Sequence, residues 1–241
     1  MRLITYNIHK GIGGHDRRYR LDRIIAVLEG LDADLACLQE VDRNVRRSRF
    51  DDQPALLARA FGGVATIDQL VYPRGEGGYG NLILSRWPFR HADRCSIRKG
   101  RRKPRGALMA VVEAPQGPIL LVGGHLGLNE RERHWQVDRL LSGPWLTQWG
   151  RLPTLVAMDS NDWRNSLEAG PFAEHGFAQV TAPPSRFRSF PAYLPMASLD
   201  KVYARGPIAI ESAHAASDKL ARRASDHLPV VVDFSVGTPS T

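Results

Sequence analysis

Eight runs along the chain read as β-strands: RLITYNI (2–8), DLACLQEV (34–41), YGNLILS (79–85), ALMAVVEA (107–114), PILLVGGHL (118–126), TLVAMDS (154–160), SLDKVY (198–203) and LPVVVDF (228–234). Many lack the apolar–polar alternation of a half-exposed strand, so they are expected to be covered on both faces. Helical periodicity lies between some of them. LDRIIAVLEGL sets Leu21, Ile24, Ile25 and Leu28 on one face. Gln53–Phe61 and Glu130–Leu141 are two more helices, the second stopped by Gly143–Pro144. Several strands are joined by short connections, so hairpins are mixed with βαβ units. The pattern predicts an α/β fold of mixed sheets with helices outside. No Pro/Gly/Ser-rich linker divides the chain, so one domain is expected over residues 1–236, followed by a flexible tail at 237–241.

Composition narrows this only slightly. The 241 residues are 43% hydrophobic and 24% charged, an ordinary globular balance. The net charge of +8 favours anionic partners (nucleic acid, phosphorylated metabolites or acidic lipid) without choosing among them. Two cysteines, Cys37 and Cys95, indicate no disulfide framework, and Cys37 in DLACLQE reads as a core residue. No apolar run reaches membrane-spanning length, and MRLITYNIHKG has the pattern of a strand rather than a secretory leader. A cytoplasmic monomer is expected.

The candidate chemistry lies where the strands end. Asn7 closes the first strand and Glu40 the second; Asn81 opens GNLILS; His125 closes LLVGGH; Asp159 and Asn161 close TLVAMDSN. Asp200 sits in SLDKVY, and Asp226 and His227 precede LPVVV. Taken singly, an Asn or Asp here is a turn former and a lone His is structural. Their repetition at one kind of junction points to a shared site, because ligands of α/β sheets gather at strand ends. Asn, Glu and Asp offer the hard oxygens that Mg²⁺ or Mn²⁺ prefers, and the two histidines can move protons. A nucleophile elbow G-x-S-x-G is absent, and KGIGGHD lacks the Gly-Lys-Ser/Thr ending of a phosphate-binding P-loop.

TYNIHKG, LQEV, GNLILS, GHLGL, DSN, SLDKVY and SDHLPV occur in the order seen in the endonuclease/exonuclease/phosphatase superfamily, which the chain resembles from Leu3 to Phe234. The resemblance implies a four-layer α/β sandwich, two mixed β-sheets packed face to face with outer helices. It implies a hydrolase of phosphoester bonds dependent on Mg²⁺ or Mn²⁺. Glu40 would be the principal metal ligand, helped by Asn7 and Asp226. Asp159 would orient or deprotonate the attacking water, and Asn161 and His125 would hydrogen-bond the phosphate oxygens. His227 would lie against the phosphate, its tautomer set by Asp200, and Asn81 would support His125 or the phosphate. The chain departs from the family pattern around Asp159. The family usually has Gly before its Asp-x-Asn motif and often an aromatic within it, whereas Met158 and Ser160 stand here.

Substrate is the least legible part. HLGL differs from the abasic-site nucleases, which disfavours abasic-site repair. RKGRRKPRG (98–106) is either a contact to anionic backbone or headgroup or a solvated loop, and RNVRRSRF (43–50) follows Glu40 directly. Arg133, on the helix after His125, is a candidate substrate contact. The leading expectation is a phosphodiesterase or nuclease acting on nucleic acid. Phospholipid headgroups or inositol and sugar phosphates are the alternative, and a non-catalytic anion-binding module is the third.

Overall fold

In a computed structural model, residues 1–237 are described, without the side chain of Arg74. Twelve strands form among them: β1 (Arg2–Asn7), β2 (Leu35–Arg43), β3 (Ala65–Arg74), β4 (Gly77–Ser85), β5 (Phe89–Ser96), β6 (Gly106–Ala114), β7 (Gly117–His125), β8 (Thr154–Asp159), β9 (Ala178–Gln179), β10 (Asp200–Arg205), β11 (Ile208–Ala215) and β12 (Val230–Val236). They build two six-stranded sheets, ordered β11-β12-β1-β2-β4-β3 and β5-β6-β7-β8-β10-β9. Both are mixed: β1–β2 and β7–β8 run parallel, and the other pairs run antiparallel.

Strand alternation explains the layers. In β1, Leu3 points into the core between the sheets, while Ile4 and Tyr6 point outward. In β6, Leu108, Ala110 and Val112 face the other sheet, and Ala107, Met109 and Val111 face away. Both faces are buried, which is why these runs lack period-two polarity. Outside the first sheet lie α1 (Leu21–Leu31), α2 (Gln53–Phe61) and the short α5 (Ala221–Ala224), sharing one apolar cluster. Outside the second lie α3 (Glu130–Leu141) and α4 (Pro144–Trp149). The chain therefore forms the expected four-layer sandwich. The sheets approach closely at Gly123, where an added Cβ would stand 3.1 Å from Cys37 Sγ.

The caps are local and readable. Asp52 accepts from the Ala55 amide to start α2, and Asn129 accepts from the Glu132 amide to start α3. α1 ends on Asp32 in the left-handed region and α2 on Gly62. At the C-terminus, the Gly237 amide donates to the Pro207 carbonyl, and the remainder of the expected tail, 238–241, lies outside the described residues. No helix among the described residues is long and apolar enough to cross a membrane.

Candidate functional site

Sheet register assembles the site in two facing rows. In the second sheet, His125 is the register partner of Asp159 across β7–β8, and Asp159 is the partner of Asp200 across β8–β10. In the first sheet, Asn7 pairs with Gln39, and Gln39 with Asn81. Glu40 is an extra residue in β2: the register shifts between Gln39 and Val41, and Glu40 has φ 56°. That left-handed conformation costs a non-glycine residue about 1–2 kcal/mol, and bulges commonly re-aim a side chain beside a site.

Asp159 is the hub between the rows. The Asn7 side-chain amide donates across the sheets to Asp159 Oδ2 at 2.9 Å. His125 Nε2 lies 3.3 Å and His227 Nε2 3.9 Å from the same oxygen. The Asn161 backbone amide donates to Asp159 Oδ1 at 3.1 Å, and its side chain donates to the Leu126 carbonyl at 3.0 Å. His227 Nδ1 is 2.7 Å from Asp200 Oδ2. A carboxylate can only accept, so the proton resides on Nδ1 and Nε2 is directed at Asp159. The Ser189 hydroxyl donates to the same Asp200 oxygen. Ser225 Oγ donates to the Asn7 carbonyl at 2.7 Å and thereby ties the segment before β12 to the end of β1.

Charge divides the site into distinct roles. Burial alone would push the Glu40 carboxyl up, but the Lys10 ammonium paired with it outweighs burial and holds Glu40 down at about 2, fully ionised. Burial, and then the Arg105 charge, drive His125 well below its ordinary value, so its imidazole is neutral. Burial raises Asp159 above the usual carboxylate range, although His227, Asn7 and the Asn161 amide pull the other way. Burial would lower His227, yet Asp200 and Asp159 together raise it, so it is an imidazolium at neutral pH.

Three expected residues are placed differently from the hub. Asp226 Oδ2 lies 3.7 Å from His9 Nε2. The glycine loop after β1 packs on Asp226: a Cβ at Gly14 would stand 2.6 Å from Asp226 Cα. Asn81 lines a small cavity with His125 and Arg105, but its amide donates to the Gly106 carbonyl at 2.8 Å and not to His125. Arg133 turns inward. It is buried, donates to the Leu128 carbonyl at 2.8 Å and lies 3.5 Å from Asp162 Oδ1. Asp162 also pairs with the fully buried Lys201. Arg133 therefore braces the segment after β8 internally.

Four neighbours escaped the sequence reading. Ser189 and Ser225 carry no periodic signal. Lys10, paired with Glu40, stood inside KGIGGHD, a run that carried no phosphate-binding motif. Arg105 stood inside a run of positive charge, and only burial separates it from its exposed neighbours.

The model of the Endonuclease/Exonuclease/phosphatase family matches residues 4–227. The chain belongs to that family. Its members are hydrolytic phosphoesterases. An Escherichia coli K12 relative, "Uncharacterized protein YbhP", is 29% identical over 97% of this chain and 95% of its own. An endonuclease/exonuclease/phosphatase structure from Beutenbergia cavernae superposes with a TM-score of 0.83 at 24% identity, covering 98% of this chain and 72% of that one. A mannosyl-6-phosphatase from Bacteroides thetaiotaomicron superposes at 0.79 with 15% identity, covering 98% and 99%. At these identities the two structures share the fold with this family member.

Proposed function

We propose that this family member hydrolyses phosphoester bonds by metal-assisted attack of water, with nucleic acid as the expected substrate. The observation that carries this reading is Asp159 held by Asn7, His125 and the Asp200-backed His227, beside the ionised Glu40. Glu40, Asn7 and Asp226 supply oxygen donors suited to Mg²⁺ or Mn²⁺ and would hold the ion. A denser group is Asp159, Asp200 and His227, whose ligand atoms lie within 4.8 Å of one another. Asp200 Oδ2 there accepts from His227 and Ser189 while its Oδ1 has no partner; we favour the Glu40 side because Glu40, Asn7 and Asp226 offer three oxygen donors without a histidine. When bound, a divalent cation neutralises charge on the phosphoryl oxygens and on the leaving oxygen.

The protein's own groups do the rest. Asp159 accepts the proton of the attacking water, and its raised proton affinity brings it nearer the ideal for a general base. His227 already carries its proton, so it faces the phosphoryl group as a cation fixed by Asp200 instead of serving as the base. Neutral His125 and the Asn161 side chain are the donors for the remaining phosphate oxygens.

The pH profile tests the base. Because the Asp159 pKa is raised, its carboxylate form is lost at higher pH than for an ordinary Asp, whose pKa is about 3.9. The acid limb of kcat is therefore expected well above pH 4. A limb at ordinary carboxylate values would remove Asp159 from that role.

Metal dependence is the second test. EDTA is expected to abolish hydrolysis and added Mg²⁺ or Mn²⁺ to restore it. Glu40→Gln should need roughly 10–100-fold more metal for half-maximal rate, a loss of the size seen when groups supporting a metal site are removed. Wild-type metal response in that variant would exclude Glu40 as the principal ligand.

A second reading, lipid headgroup phosphodiesters, has one observation in its favour. Trp163, Tyr193, Leu194 and Met196 are each more than half exposed. Trp163 meets Phe190 edge-on, and the Phe190 ring centroid is 4.9 Å from that of His227. An apolar rim thus approaches the site. Plasmid DNA, single-stranded RNA, sphingomyelin vesicles and the two p-nitrophenyl phosphates (bis-ester and monoester), offered with Mg²⁺ and with EDTA, separate the readings. Metal-dependent turnover of DNA or RNA supports the first, turnover of vesicles alone the second, and turnover of the monoester alone a phosphatase.

A further inference from the structure

Beside Glu40 opens a cleft of about 330 Å³ lined by Lys10, Glu40, Arg47, Tyr72, Tyr79 and Lys103. Three cations surround one ring: Lys10 Nζ is 5.9 Å, the Arg47 guanidinium 5.2 Å and Lys103 Nζ 5.5 Å from the Tyr79 centroid. Tyr79 is also a wall of the small cavity that holds Arg105 and His125, so the two spaces adjoin.

The charges in this corner do not cancel. Lys10 is matched by Glu40, and Arg47 is matched by the buried Asp42, whose two oxygens it grips at 2.7 and 2.8 Å. Lys103 is exposed and has no acidic partner among the described residues. Arg105 is the more telling group. It is only 6% exposed, its Nε has no hydrogen-bond partner, and among the described residues its guanidinium forms no ion pair. A buried cation without an anion is costly, and such groups are normally paired or bind something. Two surplus positive charges, one of them buried in the cavity that His125 also lines, match the charge of a phosphate dianion.

We infer that the Tyr79 corner is a second anion subsite, in which Lys103 and Arg105 receive a phosphate adjacent to the one being hydrolysed. The substrate class is therefore a phosphoester carrying a second phosphate nearby. A bisphosphorylated small molecule and a nucleic-acid strand both offer that chemistry. The assignment refines the phosphoester reading above, but the subsite binds whether or not hydrolysis occurs.

Binding in EDTA, with no turnover, tests it on the full chain. Inorganic phosphate, glucose 1,6-bisphosphate and a 5′-phosphorylated thymidine dinucleotide are titrated calorimetrically. At least one two-phosphate probe is expected to bind tenfold or more tightly than inorganic phosphate, and which one does so identifies the source. Lys103→Gln, an exposed substitution that leaves the fold alone, should erase most of that advantage while Lys103→Arg retains it. Arg105→Gln should do the same, with its thermal melt recorded alongside. Two-phosphate probes that bind no better than phosphate, or whose advantage survives both Gln substitutions, would overturn the assignment. Because hydrolysis is not read, a chain that cleaves no ester still gives a decisive answer about the subsite.

Discussion

Asp159→Asn should lower kcat by about 10³-fold, within the range general-base catalysis contributes. The substitution keeps size and shape, and its Oδ1 can still accept from the Asn161 amide. The other arm of the side chain becomes an NH₂ group. It would then meet the Asn7 amide at 2.9 Å, a donor facing a donor, with His125 and His227 close by. The base is lost, and the contact joining the two sheets at the site is lost with it. The fold should persist, because Asp159 is ionised in the wild type only against the burial that raises its pKa. The measurement is kcat on bis-p-nitrophenyl phosphate at saturating metal, with a thermal melt beside it. A variant that retains a tenth of wild-type kcat would sink the assignment of Asp159 as base.

Asp200→Asn is expected to cost about 10²–10⁴-fold in kcat through His227. An amide in place of the carboxylate can present its NH₂ to Nδ1 and so favour the wrong tautomer, a change known to be severe where a carboxylate orients a catalytic imidazole. The charge state changes too. His227 is raised because Asp200, then Asp159, outweigh burial; without Asp200, burial gains ground and its pKa falls. NMR titration of the His227 ring should therefore show deprotonation at lower pH than in the wild type. The stability consequence has a definite sign. A His raised on folding stabilises the native state below its unfolded pKa, about 6.5, and that contribution fades as pH climbs through the folded value. The variant's melting temperature should accordingly drop most, relative to wild type, below pH 6.5. An unchanged His227 titration would show that Asp200 does not govern it.

The strands readable in the sequence and those that were not differ in their position within the sheets. All eight recognised runs are interior strands, covered above and below, and so largely apolar on both faces. Those missed, β3, β5, β9 and β11, are the four sheet edges. FRHADRCS and IAIESAHA leave most side chains in solvent, so burial imposes no apolar pattern on them, and charged edges discourage pairing with another chain. The site divides in a similar way. Asn7, Glu40, His125, Asp159 and Asp200 were legible because each stands at or beside a strand end, and strand register converts that into proximity. Arg133 was harder to place, because helix periodicity cannot tell a side chain facing a cleft from one turned into an internal ion pair with Asp162. Arg105 was hidden by its neighbours, since a string of basic residues looks alike until burial is known.

The first sheet has a history in time as well as a place in space. Its β1 pairs on one side with β2, formed soon after it, and on the other with β12, made nearly the whole chain later. His227 and Asp226 arrive only with that late strand. During synthesis, at roughly 5–20 residues per second, the emerging polypeptide can lay down most of both sheets while β1 still waits for its partner. Until β12 docks, the nascent protein lacks both His227 and Asp226 at the end of β1, and the cluster around Asp159 stays incomplete.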